Sequence, residues 1–226
     1  MLTHLPLCSI PNPKKVLLVG GGDGGILREI SRHTFVEQID IYELDQMVID
    51  VYKQFFPEIA IGYEDLRVNV NINQGVAFLK AVPEGTYDVI ILDAFECMGA
   101  TAIELANKEF LESVARPLHP RGVMSAPADS FWLDNFIVED TIAECRQILK
   151  GSARYAWSTI PSFSWTIEFV LCSTVGLAVD FEKPINPLDT KNNGVAKGPP
   201  KFYNSQIHTT AFCLSSFAKK VGSAKF

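Results

Sequence analysis

Long apolar runs are missing from this 226-residue chain. Its longest unbroken aliphatic stretches, Val16 to Val19 and Val89 to Leu92, fall far below the roughly 20 residues that a helix needs to span a bilayer, so no membrane segment is expected. Basic clusters are missing too. Twenty Lys and Arg against 26 Asp and Glu leave a formal net charge of −6, with no Lys/Arg stripe to follow a phosphate backbone, so nucleic acid is not an expected partner. Cysteine is sparse: Cys8, Cys97, Cys145, Cys172 and Cys213 are odd in number and widely scattered. They form no C-x-x-C pair, which speaks against zinc or redox chemistry and for reduced, structural thiols. The opening Met1-Leu2-Thr3-His4-Leu5-Pro6 carries no basic region followed by a long apolar stretch, so no secretory signal is read and a soluble, cytoplasmic protein is the expectation.

What is present is ordinary for one compact domain. The chain is 47% apolar, with 15 Gly and 13 Pro, and a length like this buries roughly 70% of the unfolded surface without needing a metal or disulfides. No internal repeat is visible, and residues 1–226 read as a single domain. Lys14 to Val19 is a β-branched and aliphatic run that stops at Gly20-Gly21-Gly22-Asp23-Gly24-Gly25 and is followed by Ile26-Leu27-Arg28-Glu29-Ile30. Strand, tight turn and helix is the natural reading. Gln38 to Glu43 and Arg67 to Ile72 read as strands, with a helix from Met47 to Phe55 closed by Pro57 and a short one from Val76 to Val82. Tyr87 to Asp93 is a continuous apolar run closed by an acid, as suits a central parallel strand buried on both faces.

Helices are expected near Asn107 to Ala115 and Phe136 to Leu149, and strands at Gly122 to Ala126, Ala153 to Ile160 and Thr166 to Cys172. Strands alternating with helices imply right-handed βαβ units and an α/β, doubly wound, mostly parallel sheet. The last two strands are too close in sequence for a crossover helix and read as an antiparallel edge hairpin. Residues 180–200, with Lys183-Pro184, Asn192-Asn193-Gly194 and Gly198-Pro199-Pro200, read as a polar connector.

Ligands of open α/β sheets sit beyond the carboxyl ends of the strands, where the strand order reverses. Three strand ends carry acids here. Asp23 lies in the glycine turn, Glu43 closes the second strand, and Asp93 closes the fourth with Glu96 close behind. Glycines 20, 22 and 25 satisfy the dinucleotide pattern, and Glu43 follows Gly22 at about the spacing of an acid that meets a ribose diol. Asp23 tilts the choice of ligand. A pyrophosphate at a helix N-terminus wants amide donors and no carboxylate, whereas a cationic adenosyl-sulfonium is favoured by one; the structural alternative for Asp23 is a helix N-cap. Asp93 and Glu96 suit a cationic amine. With an amine pKa of about 10.4, making that amine a nucleophile at pH 7 costs about 4.6 kcal/mol, and a nearby carboxylate can take the proton. The structural alternatives are a strand-end cap for Asp93 and a solvated loop residue for Glu96.

Several stretches carry a family resemblance. Leu2 to Cys8, Asn12 to Val16, Gly20 to Gly25, Tyr42-Glu43-Leu44-Asp45, Phe55-Phe56-Pro57, Gly62-Tyr63-Glu64-Asp65, Gly75 to Lys80, Tyr155-Ala156-Trp157, Leu171 to Thr174 and Lys201 to Asn204 closely resemble plant spermidine synthases and the related putrescine N-methyltransferases. The resemblance implies a Rossmann-like fold of the S-adenosylmethionine-dependent methyltransferase type and putrescine as acceptor. It implies decarboxylated S-adenosylmethionine as co-substrate, or S-adenosylmethionine in the N-methyltransferase branch, with no metal. A homodimer is the assembly it suggests. By position, Asp23 matches the aspartate on the donor's aminopropyl end, within a cofactor turn that includes Gly20 and Gly22. Glu43 matches the glutamate on the ribose hydroxyls. Gln74, beside Gly75, stands where the family has an aspartate near the adenine amino group. Asp93 matches the presumed base, and Glu96 and Phe163 fall at positions that bind the amine.

The departures gather where the acceptor should sit. Ala94-Phe95-Glu96-Cys97 replaces Ser-Ser-Asp-Pro, Pro127 replaces a glutamine, and Phe163-Ser164-Trp165 replaces Tyr-Pro-Ser-Gly. The family's small N-terminal β domain is also expected to be missing, since the chain begins just after it. Three readings stay open: aminopropyl transfer to putrescine, putrescine N-methylation, and a non-catalytic nucleoside-binding or interaction role. Elsewhere, His33 and His119 read as exposed or capping imidazoles near helix ends, His208 is given no role, and Trp132, Trp157 and Trp165 read as core or cleft wall.

Overall fold

The structure is a computed structural model that describes residues 1–93, 108–128, 130–132, 138–160, 166–188, 195–196 and 198–216. Helix α1 (His4–Ser9) leads into β1 (Lys15–Gly20), α2 (Gly25–Ser31), β2 (Gln38–Glu43), α3 (Gln46–Phe55), α4 (Pro57–Ala60) and a 3-10 helix (Ile61–Glu64). Then come β3 (Val68–Ile72), α5 (Gly75–Ala81) and β4 (Tyr87–Asp93). Past residue 107 follow α6 (Lys108–Ala115), β5 (Leu118–Ala128), α7 (Val138–Leu149), β6 (Lys150–Thr159), β7 (Thr166–Thr174) and α8 (Ser205–Thr210).

The described strands form one sheet in the order β3-β2-β1-β4-β5-β7-β6. The first five are parallel, and β7 runs antiparallel to both β5 and β6, so the doubly wound sheet with an antiparallel edge hairpin is what the chain adopts. The reversal of strand order lies between β1 and β4. Both are apolar on alternate and intervening positions because both faces of a central parallel strand are covered. Leu17, Val19, Ile90 and Leu92 pack with Leu79 of α5, Phe110 of α6 and Leu149 of α7. Val16, Leu18, Val89 and Ile91 pack with Leu5 of α1 and Leu27 and Ile30 of α2. Together these layers hold the carboxyl ends of β1 and β4 rigidly side by side.

Local chemistry sets the element ends. Asp45 caps α3, its Oδ1 accepting from the Met47 N–H at 2.8 Å, and Pro57, which lacks an N–H, sits in the first turn of α4, where that donor has no helical partner to lose. Asn204 caps α8 by accepting from Ile207 at 2.8 Å.

Several expectations are corrected. Strand β5 is longer than Gly122 to Ala126: its pairing with β4 shifts register between Tyr87 and Val89, and Arg121 adopts a φ of 67° in the excursion that absorbs the shift. His33 is neither exposed nor a cap. It is fully buried, with Nε2 at 3.1 Å from Nδ1 of His4, because α1 closes over the end of α2. His119 lies on β5 and not at a helix end. Trp132 is half exposed, whereas the Trp157 indole donates to the Cys213 carbonyl at 2.9 Å; Trp165 lies outside the described residues. Within the stretch expected as a polar connector, Phe181 is buried, and the Asn186 side chain donates to Ile10 O at 2.6 Å, tying this stretch to the end of α1.

Candidate active site

The glycine turn between β1 and α2 needs glycine for two separate reasons. Gly20, Gly21 and Gly24 have φ values of 80°, 75° and 83°, a left-handed region costly for other residues. Gly22 is required by space: a Cβ there would lie 2.7 Å from Oε2 of Glu43. In the same turn, a Cβ on Gly21 would stand 3.4 Å from Oδ2 of Asp93, and Gly20 is the register partner of Asp93 across β1 and β4. The backbone of the turn is thus laid directly against two carboxylates that the sequence keeps 50 residues apart.

Asp23 is half-buried, and its Oδ1 accepts from the Gly25 N–H at 2.8 Å. The N-cap of α2 is Gly24, so Asp23 is not its capping residue; it braces the turn from one residue earlier and holds a negative charge there. Glu43 is buried, its Oε1 accepting from the Leu44 and Asp45 N–H groups at 2.8 and 3.1 Å; Oε2 is turned toward Gly22. Asp93 takes the electrostatic consequence. Its burial, then the charges of Asp23 and Glu43, push its carboxyl up to about 6, where it is poised to exchange a proton near neutral pH.

Gln74 is the exposed residue that precedes α5, and its N–H donates to Asn73 Oδ1 at 2.7 Å. The Asn73 N–H donates to Glu43 O at 3.0 Å, which ties this turn to the end of β2. Gly75 is buried so close to β1 that a Cβ would meet Val19 Cγ1 at 2.5 Å. A groove of about 500 Å³ opens beside these ends, lined by Ile72, Asn73 and the stacked rings of Tyr42 and Phe78, whose centroids lie 3.8 Å apart. Glu96 and Phe163 lie outside the described residues, and Pro127 sits in β5 opposite Phe169 of β7.

One residue joins the site without a motif of its own to announce it. The Tyr63 hydroxyl donates to Gly22 O at 2.9 Å, although Tyr63 enters the sequence reading only within Gly62-Tyr63-Glu64-Asp65. Among the described residues, no group of three or more His, Cys, Asp or Glu side chains is arranged to hold a metal ion.

Known proteins match both the sequence and the fold. Residues 1–183 match the spermine/spermidine synthase domain. The chain is 60% identical over 222 residues to spermidine synthase 2 of Datura stramonium, covering 98% of this chain and 70% of that protein. It is 61% identical over 227 residues to spermidine synthase 1 of the same plant, covering all of this chain and 73% of that one. Among solved structures, a spermidine synthase in complex with the transition-state analogue AdoDATO superposes with a TM-score of 0.81 at 28% identity, over 98% of this chain and 72% of the other. The spermidine synthase of Thermotoga maritima gives 0.80 at 28% identity, with the same coverage. The chain belongs to the spermine/spermidine synthase family.

Proposed function

We propose that this chain transfers an aminopropyl group from decarboxylated S-adenosylmethionine to putrescine, forming spermidine. The observation that carries the reading is the convergence of Asp23, Glu43 and Asp93 at the carboxyl ends of the inner strands, close enough that the charges of the first two add to the burial that pushes the Asp93 carboxyl up to about 6. Such a site penalises anions and favours a cationic adenosine derivative.

Each residue has a role in the proposed step. Glu43 receives the ribose hydroxyls on the oxygen turned toward Gly22, and Gln74 stands at the adenine end. Asp23 faces the sulfonium and its aminopropyl arm. Asp93 accepts a proton from an ammonium group of putrescine, and the freed nitrogen lone pair attacks the aminopropyl carbon next to sulfur. The new N–C bond forms as the C–S bond breaks, and methylthioadenosine leaves as a neutral thioether with the bonding electron pair. Little charge stabilisation is then required of the protein, so alignment of the two substrates supplies most of the remaining catalysis.

Calorimetric titration with methylthioadenosine, followed by putrescine, tests the assignment. Binding of both is expected. A chain that is folded by circular dichroism and binds neither contradicts it, as does binding of the nucleoside with no affinity for the amine.

A further inference from the structure

The glycine turn does not hold its shape alone. Against it lies the 3-10 helix, itself pinned to α2: a Cβ on Gly62 would come within 2.3 Å of the Arg28 amide nitrogen and 2.6 Å of the Leu27 carbonyl carbon. Nothing larger than glycine permits that contact, so Tyr63 is presented to the turn from a fixed base.

Tyr63 then grips the turn at two points. Its hydroxyl donates to the buried Gly22 carbonyl at 2.9 Å. Its ring lies so close to Gly24 that a Cβ there would be 2.9 Å from Tyr63 Cε2. On the ring itself, Lys53 Nζ stands 4.7 Å from the centroid, a cation–π distance. Burial, then the charges of Glu43 and Asp23, raise the phenol well above its usual value, which keeps it protonated and donating. The residue between the two gripped glycines is Asp23.

We infer that Tyr63 is a positioning residue for the nucleoside donor, clamping Gly22 and Gly24 so that the Asp23 carboxylate meets the sulfonium end of the ligand. This rests on the functional reading above. Tyr63 acts through the turn and through Asp23, and it has no part in moving the proton.

The test is Tyr63→Phe, which keeps the ring against Gly24 and removes only the hydroxyl. Losing one hydrogen bond to a buried carbonyl is expected to raise the donor KM and the methylthioadenosine Kd together by roughly 5- to 10-fold. The putrescine KM should stay within about twofold. Amide hydrogen exchange across Gly22 to Gly25 should quicken in the ligand-free variant, a readout that needs no activity. Equal methylthioadenosine affinity in the two proteins, unchanged exchange at the turn, or a lowered melting temperature with both KM values untouched overturns the assignment of Tyr63. Failure of the unaltered chain to bind methylthioadenosine overturns the functional reading, and the donor role of Tyr63 with it.

Discussion

Gly22 and Glu43 contend for one space: a single methyl group added to the first would lie 2.7 Å from a carboxylate oxygen of the second. Gly22 is not among the left-handed glycines, so an alanine there meets crowding and no backbone penalty. Glu43 is buried and tied to the Leu44 and Asp45 amides, and it cannot swing aside without giving up charge-assisted hydrogen bonds. Gly22→Ala is expected to weaken methylthioadenosine binding at least tenfold and to cost about 1–2 kcal/mol of stability. Calorimetry and urea denaturation check the two halves.

Asp93 is expected to cost stability in exchange for function. Its folded pKa of about 6 lies above the ordinary value of 3.8, so the folded state binds the proton more tightly than the unfolded chain. The stabilising contribution is therefore fully present below about pH 4 and lost as pH rises through 6. Asp93→Asn removes a penalty of up to about 3 kcal/mol at pH 7.5. Its melting temperature should rise at that pH and approach the parent's at pH 4. Product formation should fall by at least about 10²-fold. A lower melting temperature at pH 7.5 is the contrary result.

Two buried histidines work in the opposite direction. His4 is lowered to about 4, first by burial, and His33 is lowered well below its usual value for the same reason. Glu29, Arg32, Arg67 and the Met1 amino group, itself lowered to about 6 by burial, are the charged groups that act on them: burial alone would raise the Glu29 carboxyl, but the His4 hydrogen bond and the Arg32 charge outweigh it and hold it low. Groups that the fold keeps neutral lend stability above about pH 6.5, and it is lost as pH falls toward 4. In an Asp93→Asn background, which removes the opposing contribution, unfolding free energy should drop across this window. Adding His4→Gln and His33→Gln should flatten that slope, as read by denaturant melts at half-unit pH steps.

Arg67 binds the loop after α2 to the start of β3. Its guanidinium donates to the carbonyls of His33, Val36 and Ser31 at 2.9, 2.8 and 2.8 Å and to both oxygens of Asp65 at 2.9 and 2.6 Å. An ammonium cannot reproduce this fork. Arg67→Lys should cost about 2–4 kcal/mol in chemical denaturation while leaving the putrescine KM within twofold, since Asp65, His33, Val36 and Ser31, which its guanidinium binds, are not site residues.

Much of this site is legible in the sequence because its parts are local. Gln38 to Glu43 and Tyr87 to Asp93 form strands over the residues that the apolar pattern marks, and an acid at each strand end has only one direction to face. Interactions between distant segments are harder to read. Helix α1 carries Pro6 and no polar face, so periodicity does not announce it; it forms because the core over α2 and the β1 end covers it on every side. The burial of His33 follows from that contact, 29 residues away along the chain. Tyr63 escapes for the same reason, since its partner Gly22 lies 41 residues earlier. Asp23 is not the helix cap that its residue type suggests, because the left-handed Gly24 takes that position; Asp23 satisfies the Gly25 N–H from within the turn and charges it.

The most direct test incubates the purified chain with putrescine and decarboxylated S-adenosylmethionine, and in parallel with putrescine and S-adenosylmethionine, and identifies the products by mass spectrometry. Spermidine and methylthioadenosine in equal amounts from the first mixture, lost in Asp93→Asn, are the expected result. N-methylputrescine from the second mixture, or no product from either by a folded chain, would contradict aminopropyl transfer.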